Sequence, residues 1–270
     1  MSFLRKCWAF IWKDFFTELS YRLAFFAHLI FTFFMVAAFY FFGKMLEGAT
    51  IESLGPYGGS YFPFVIVGVA FSSYLGVAVR SFSDTIRNAQ VLGTLEALLV
   101  TTTPVGQIII MSSVYSFMAT SLRVVVILIF GWLIFDVSYA NANWVAAVLV
   151  LFLTIISFSF LGILSASIVL AFKRIDPSSW LVQGLSYLLG GVYYPVAILP
   201  GWGQWLANIL PITHSLEAMR KLLLMGASLS DVAGSILGLV IFSLVAGPLS
   251  VGAFLLALRR VKREGSLSHF

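Results

Sequence analysis

Charge is scarce in this 270-residue chain: 10% of the residues are Asp, Glu, Lys or Arg, 60% are apolar, and the mean hydropathy is +1.01. Soluble domains carry about 25% charged residues, so a water-surrounded globular fold is excluded and the bilayer must serve as solvent. Cysteine is almost missing. Cys7 stands alone, which excludes a disulfide framework or a cysteine-built zinc or iron–sulfur site within one chain. No G-x-x-x-x-G-K-[ST] loop occurs; the nearest fragment, Gly43-Lys44, is followed by Met45 and lacks the upstream glycine, so the usual cradle for ATP phosphates is lacking. H-E-x-x-H and G-x-S-x-G are absent as well, which removes the common hydrolase motifs. The net charge of +5 comes from scattered basic residues rather than a Lys/Arg stripe with interleaved aromatics, so nucleic acid is not an expected partner.

What is present is apolar and long. With about twenty residues needed to cross the hydrocarbon core, the runs Leu23–Phe42, Phe62–Val79, Val105–Phe135, Trp144–Phe172, Trp180–Ile198 and Val232–Leu258 predict six membrane-spanning helices. Lys and Arg are retained on the cytoplasmic side. Placing the N-terminus there puts Arg5, Lys6, Lys13, Arg22, Arg80, Arg87, Lys173, Arg174, Arg259, Arg260, Lys262 and Arg263 in the cytoplasm. Lys44, Arg220 and Lys221 then fall outside, and the C-terminus returns to the cytoplasm. The expected organisation is an interfacial helix over 1–22, a six-span body over 23–258 and a basic cytoplasmic tail over 259–270. In the first segment Leu4, Cys7, Trp8, Ile11, Phe15 and Leu19 recur at helical spacing opposite Arg5, Lys6 and Lys13, a pattern suited to lying on a membrane surface against its lipids.

Two polar stretches interrupt the spans. From Asp84 to Thr103 the chain is helix-like but too polar to cross, with Val91, Leu92, Leu95, Leu98 and Leu99 on one face and Arg87, Gln90, Thr94 and Glu96 largely off it; Pro104 closes the segment. After the fifth span, Pro195, Pro200, Gly201, Gly203 and Pro211 break the apolar sequence into pieces too short to cross. Bent backbone at membrane depth survives only where protein or a wet cavity surrounds it, so a re-entrant hairpin near the outer face is predicted, with Trp202 and Trp205 at the interface.

Gly93-Thr94-Leu95-Glu96-Ala97-Leu98-Leu99, followed by Pro104, resembles the cytoplasmic loop motif of permeases of type-2 ATP-binding-cassette (ABC) exporters, a family that moves drugs, polysaccharides and lipid-linked glycans. The second stretch is similar to the same family's pattern in the same order: Gly191, Tyr193, Tyr194 and Pro195, then Leu199 and Pro200, then Pro211, Thr213, Glu217 and Arg220. The resemblance implies an all-α integral membrane protein with a cytoplasmic coupling helix between spans two and three. It assigns the ATPase contact to the region of Arg87, Gly93, Thr94, Leu95, Glu96, Leu99 and Pro104. It makes Tyr193, Tyr194, Pro195 and Pro200 candidates for a gate at the exit. It also implies two copies of a cytoplasmic ATPase that bind ATP and magnesium, a second permease copy as in a homodimer, no cofactor in this chain, no enzymatic activity of its own, and residence in the cytoplasmic (inner) membrane.

Three further features remain. Arg123 lies within the third span, where an ionised side chain normally faces a protein interior or wet path, and it is the candidate for the transport path or for an anionic headgroup. His214, Glu217, Arg220 and Lys221 are close in sequence, yet Glu217 with Arg220 or Lys221 reads as an ion pair at helical spacing rather than a catalytic or metal cluster. Gly234 and Gly238 form a G-x-x-x-G that permits close helix approach within or between subunits. A carrier or channel independent of ATP is the alternative, but it would want intramembrane carboxylates, and none of the six runs contains Asp or Glu.

Overall fold

The structure, a computed structural model, describes residues 22–46, 52–91, 105–172 and 177–264 together with Arg5, Trp8, Ile11, Trp12, Phe15 and Phe16. Among the described residues there is helix and no strand. In chain order the helices are α1 (Arg22–Met45), α2 (Tyr61–Val91), α3 (Val105–Leu133), α4 (Trp144–Phe172), α5 (Pro177–Leu189), α6 (Gly201–Ile209), α7 (Pro211–Leu224) and α8 (Ala233–Glu264), with 3-10 turns at Glu52–Tyr57 and Val196–Ile198. Within α2, α3, α4 and α8 lie stretches long and apolar enough to cross a bilayer; shorter apolar stretches are Ile30–Met45 in α1 and Trp180–Leu189 in α5.

Three boundaries differ from the sequence expectation. The fifth span, expected over Trp180–Ile198, is helical only to Leu189, because Gly190 and Gly191 end it and Gly191 turns the chain at φ 73°, a conformation favouring glycine. The polar segment expected to begin its own helix at Asp84 instead continues α2 without a break to Val91. Its 31 residues rise about 46 Å, more than the roughly 30 Å hydrocarbon core. Likewise α8 runs past Leu258 to Glu264. The rest of the expected coupling region, Gly93, Thr94, Leu95, Glu96, Leu99 and Pro104, lies outside the described residues. So do Leu4, Lys6, Cys7, Lys13 and Leu19 of the expected interfacial helix. Arg5, Trp8, Ile11, Trp12, Phe15 and Phe16 are helical, and Trp12 joins Trp8 edge-on and stacks on Phe16.

α2 is the central post. Of its apolar stretch 78% is buried, against 33% for α3 and α4 and 22% for α8, so the other helices turn their large side chains outward. Phe31 and Phe34 of α1, Leu122 of α3, Phe152 of α4 and Leu244 and Leu249 of α8 are all exposed. For a membrane-crossing bundle these faces are suited to hydrocarbon. The main core packs Phe71, Tyr74, Leu75 and Ala78 of α2 against Ile127 and Leu128 of α3, Val150 and Phe158 of α4 and Ile212, Leu216 and Met219 of α7.

Small hydroxyl pairs stitch the helices together: Tyr74 donates to Ser121 at 2.9 Å, Ser81 to Ser113 at 3.3 Å and Ser83 to Ser165 at 3.0 Å. Thr154 pairs with Ser215 at 2.9 Å and Ser157 with Ser243 at 2.8 Å. In hydrocarbon each such bond contributes about 0.6 kcal/mol on average, enough to set register. The first two bonds show α2 and α3 running antiparallel, with Tyr74 level with Ser121 and Ser81 level with Ser113.

Candidate functional site

Two polar regions interrupt the apolar bundle, and each is organised around arginine. The first is the hairpin after α5. Beyond the turn at Gly191, Val192 is fully buried, Tyr193 stacks on Phe39 of α1 with ring centres 5.8 Å apart, and the Tyr194 hydroxyl donates to the Leu188 carbonyl. Pro195 is buried and precedes the 3-10 turn; Pro200 precedes α6 in an extended conformation. Gln204 closes the loop by donating to the carbonyls of Leu199 at 2.8 Å and Ala197 at 3.1 Å. Trp202 and Trp205 are each 66% exposed, as expected for rings at a membrane boundary. Pro211 then starts α7 at a position where no helical donor is lost.

Arg220, one turn before the end of α7, locks this hairpin to α2. It is 3% exposed. Its Nε donates to the Phe64 carbonyl at 3.0 Å and its Nη2 to the Val192 carbonyl at 2.9 Å. The guanidinium also lies 3.5 Å from the centre of the Phe64 ring and 6.0 Å from that of Tyr57, an arrangement in which the ring faces attract the cation. Gly68 is required beneath it: a Cβ there would sit 2.3 Å from both Arg220 Nη2 and the Val192 carbonyl oxygen. The ion pair left open by the sequence is Glu217 with Lys221, 2.8 Å apart, while Arg220 is turned to the interior. The hydrogen bond that Lys221 donates to the Glu217 carboxylate lifts the Lys221 pKa above the ordinary lysine value.

His214 does not join a catalytic cluster. Its Nε2 meets the Asn208 carbonyl at 2.9 Å, and its ring packs on Gly238, where a Cβ would come within 2.7 Å. One glycine of the G-x-x-x-G is therefore used inside the subunit, while a Cβ at Gly234 would meet nothing within 4 Å. Among the described residues no group of three His, Cys, Asp or Glu side chains gathers to hold a metal.

The second region is a polar cavity of about 310 Å³ between α2, α3 and α5, lined by Ser73, Gly76, Val77, Arg80, Ser81, Asp84, Ser116, Arg123, Gln183 and Tyr187. Arg80 donates to Gln183 at 2.8 Å, Gln183 to the Tyr187 hydroxyl at 3.1 Å, and Tyr187 to the Ser72 carbonyl at 3.2 Å. This relay forms the α5 wall. Gly76 makes room for it, since a Cβ would approach Gln183 Nε2 to 2.4 Å. Helix geometry explains why two arginines meet here. Side chains lean toward their own helix N-terminus; because α2 and α3 are antiparallel, Arg80 and Arg123 lean toward each other across the cavity.

Of the sequence candidates, Arg123 is in this cavity, Tyr193, Tyr194, Pro195 and Pro200 are in the hairpin, and Arg87 is exposed near the Val91 end of α2. The structure thus brings Arg123 together with Arg80 and not with the hairpin residues. In the sequence Arg80 reads only as a topogenic charge, and Gln183 and Tyr187 lie within an apolar run. Their four-residue spacing, the only strongly polar pair on one face of that run, was the available signal.

Comparison with known proteins follows the same geometry. The family described as ABC-2 type transporter matches residues 91–224, from the Val91 end of α2 to the end of α7. The inner membrane transport permease YadH of Escherichia coli strain K12 is 29% identical over 187 residues, covering 69% of this chain and 71% of that protein. The protein of the same name in Shigella flexneri matches to the same extent. ABC transporter G family member 20 of Dictyostelium discoideum is 33% identical over 82 residues, 29% of this chain and 11% of that much longer protein. An all-helical bundle with several bilayer-length helices, matched through its centre by this family, is similar to the permeases of the ABC-2 type transporter family.

Proposed function

We propose that the chain is the membrane-embedded half of an ATP-driven exporter in the cytoplasmic (inner) membrane, with both termini in the cytoplasm, moving an amphipathic or lipid-linked substrate outward. The observation that carries this reading is the reach of the family match, which starts where α2 leaves the bundle and ends with the helix that Arg220 anchors. Two copies of a separate cytoplasmic ATPase, each binding ATP and magnesium, supply the energy, and a second copy of this chain completes the path. The segment holding Arg87, Gly93, Thr94, Leu95, Glu96, Leu99 and Pro104 receives the ATPase. The hairpin residues Tyr193, Tyr194, Pro195 and Pro200 shape the outer exit, and Arg123 faces the path.

α2 supports the coupling role, because it is one unbroken helix joining the segment that meets the ATPase to the hairpin clamp at Phe64. A rigid rod displaced at one end is displaced at the other, so closure of the ATPases is transmitted to the hairpin as a two-state switch. The test is purification of the chain from its native membrane, with identification of the proteins that accompany it. The ATPase is expected to co-purify, and Glu96→Lys to release it while the permease stays folded. Absence of any associated ATPase, with transport indifferent to ATP, would sink this reading in favour of an autonomous carrier.

A further inference from the structure

We infer that the cavity between α2, α3 and α5 binds the phosphate-type oxyanion of an anionic amphiphile, with Arg80 and Arg123 as its recognition residues. The inference rests on the permease reading above and names the chemistry of the substrate group that this site accepts.

Charge decides the ligand's sign. The cavity lining carries two guanidiniums and a single carboxylate, Asp84, so a cationic headgroup is repelled and an oxyanion attracted. A guanidinium offers five N–H donors in a planar fork matched to phosphate. The bond from Arg80 to Gln183 takes one of these five. Ser73, Ser81 and Tyr187 donate their hydroxyl protons to Ala70, Ser113 and Ser72, so their oxygens in this space are left to accept from sugar or glycerol hydroxyls of the headgroup, while the phosphate oxygens are left to the arginines.

Size and depth decide that the ligand is amphiphilic. At about 310 Å³ the cavity lies at the lower end of the roughly 300–1,000 Å³ of small-ligand sites; it admits a headgroup, and a hydrocarbon tail has to stay in the bilayer. Counting along α2 from Tyr61, Ser73 lies about 18 Å and Asp84 about 35 Å along the axis. Against a core about 30 Å thick, the cavity runs from mid-membrane to the Val91-side boundary, the cytoplasmic side in the proposed orientation. A headgroup in that leaflet reaches the cavity without passing through water. The lining is hydrophilic while its surroundings are hydrocarbon, which is where an intramembrane arginine marks a substrate path.

The experiment is titration of the purified full-length chain in detergent, followed by calorimetry, with four probes: dihexanoyl phosphatidic acid, dihexanoyl phosphatidylcholine, inorganic phosphate and decyltrimethylammonium. Phosphatidic acid is expected to bind about tenfold or more tightly than phosphatidylcholine, and Arg80→Gln and Arg123→Gln each to weaken it about tenfold. Arg123→Lys should retain more affinity than Arg123→Gln. Gly76→Ala, which crowds Gln183 without removing charge, is expected to weaken binding in a chain of near-normal thermal stability. Equal affinity for phosphatidic acid and phosphatidylcholine would overturn the proposal, as would tight binding of the cation or a preference that survives Arg80→Gln/Arg123→Gln. Inorganic phosphate binding as tightly as phosphatidic acid would overturn the amphiphile assignment. No ATPase is present in this titration, so loss of headgroup selectivity leaves the ABC permease reading intact, and failure to recruit an ATPase leaves the binding result intact.

Discussion

Arg220 and Arg123 are both arginines inside an apolar bundle, and their surroundings give them opposite duties. Arg220 is sealed: two backbone carbonyls, an aromatic face and a glycine-lined floor enclose the guanidinium. Arg123 is half-buried beside an open polar cavity that also holds Arg80. A buried cation bonded to backbone carbonyls holds structure together, whereas one that lines a polar cavity is, on the proposed reading, placed to meet a ligand. The same contrast separates Gly68, beneath Arg220, from Gly76, beneath the Gln183 that Arg80 bonds. Gly68 faces a backbone oxygen that cannot retreat, and Gly76 faces the tip of a flexible glutamine.

The largest effect that would break this contrast is at the clamp. Arg220→Ala leaves the buried Val192 carbonyl without its donor, at about 1–3 kcal/mol, and removes the charge-assisted bond and ring contact at Phe64, so a loss of about 3–5 kcal/mol is expected in mixed-micelle unfolding together with lost transport. A variant of unchanged stability would erase the distinction between the two arginines. Next in size is the glycine pair. Gly68→Ala is expected to destabilise by about 1–3 kcal/mol through forced backbone displacement, and Gly76→Ala by less than about 1 kcal/mol, since only the end of Gln183 must move. Comparing their melting temperatures checks the order.

Arg123→Gln is expected to leave unfolding within about 1 kcal/mol of the parent while cutting transport about tenfold or more. A transport rate equal to the parent's would remove Arg123 from the path. At the small end, Lys221→Met breaks the part-exposed pair with Glu217 and should cost no more than about 0.5 kcal/mol, with export unaffected.

Much of the fold was legible because membrane spans are written in composition. The runs from Val105, Trp144 and Val232 reappear as α3, α4 and α8 to within a few residues at their starts, since an apolar stretch of bilayer length has few other stable forms. The end of α5 was harder. Hydropathy continues through Val192 and Ile198, and what stops the helix is the Gly190-Gly191 turn, a backbone effect that an apolar window averages away. Continuation of α2 through Asp84 and Arg87 was missed for the converse reason: polarity ended the expected span, although a helix persists beyond the membrane as long as its backbone bonds do.

The sites divide similarly. Tyr194, Pro195 and Pro200 stood out because proline spacing marks bent backbone, and Arg123 because charge is rare in a span. The pairing of Arg220 with Phe64, 156 positions apart, leaves no local trace, and sequence alone puts Arg220 on the outer side as one of two candidate ion-pair partners of Glu217. Nor was the meeting of Arg80 with Arg123 visible, because it depends on the register between α2 and α3, which the Tyr74–Ser121 and Ser81–Ser113 bonds set.

The central claim, ATP-driven movement through this permease, is tested most directly in proteoliposomes containing the chain and its partner ATPase, by following transfer of a fluorescent anionic lipid between leaflets. The account predicts transfer that requires ATP and magnesium and stops when the ATPase is inactivated. Transfer at the same rate without ATP, or with an inactive ATPase, would contradict it.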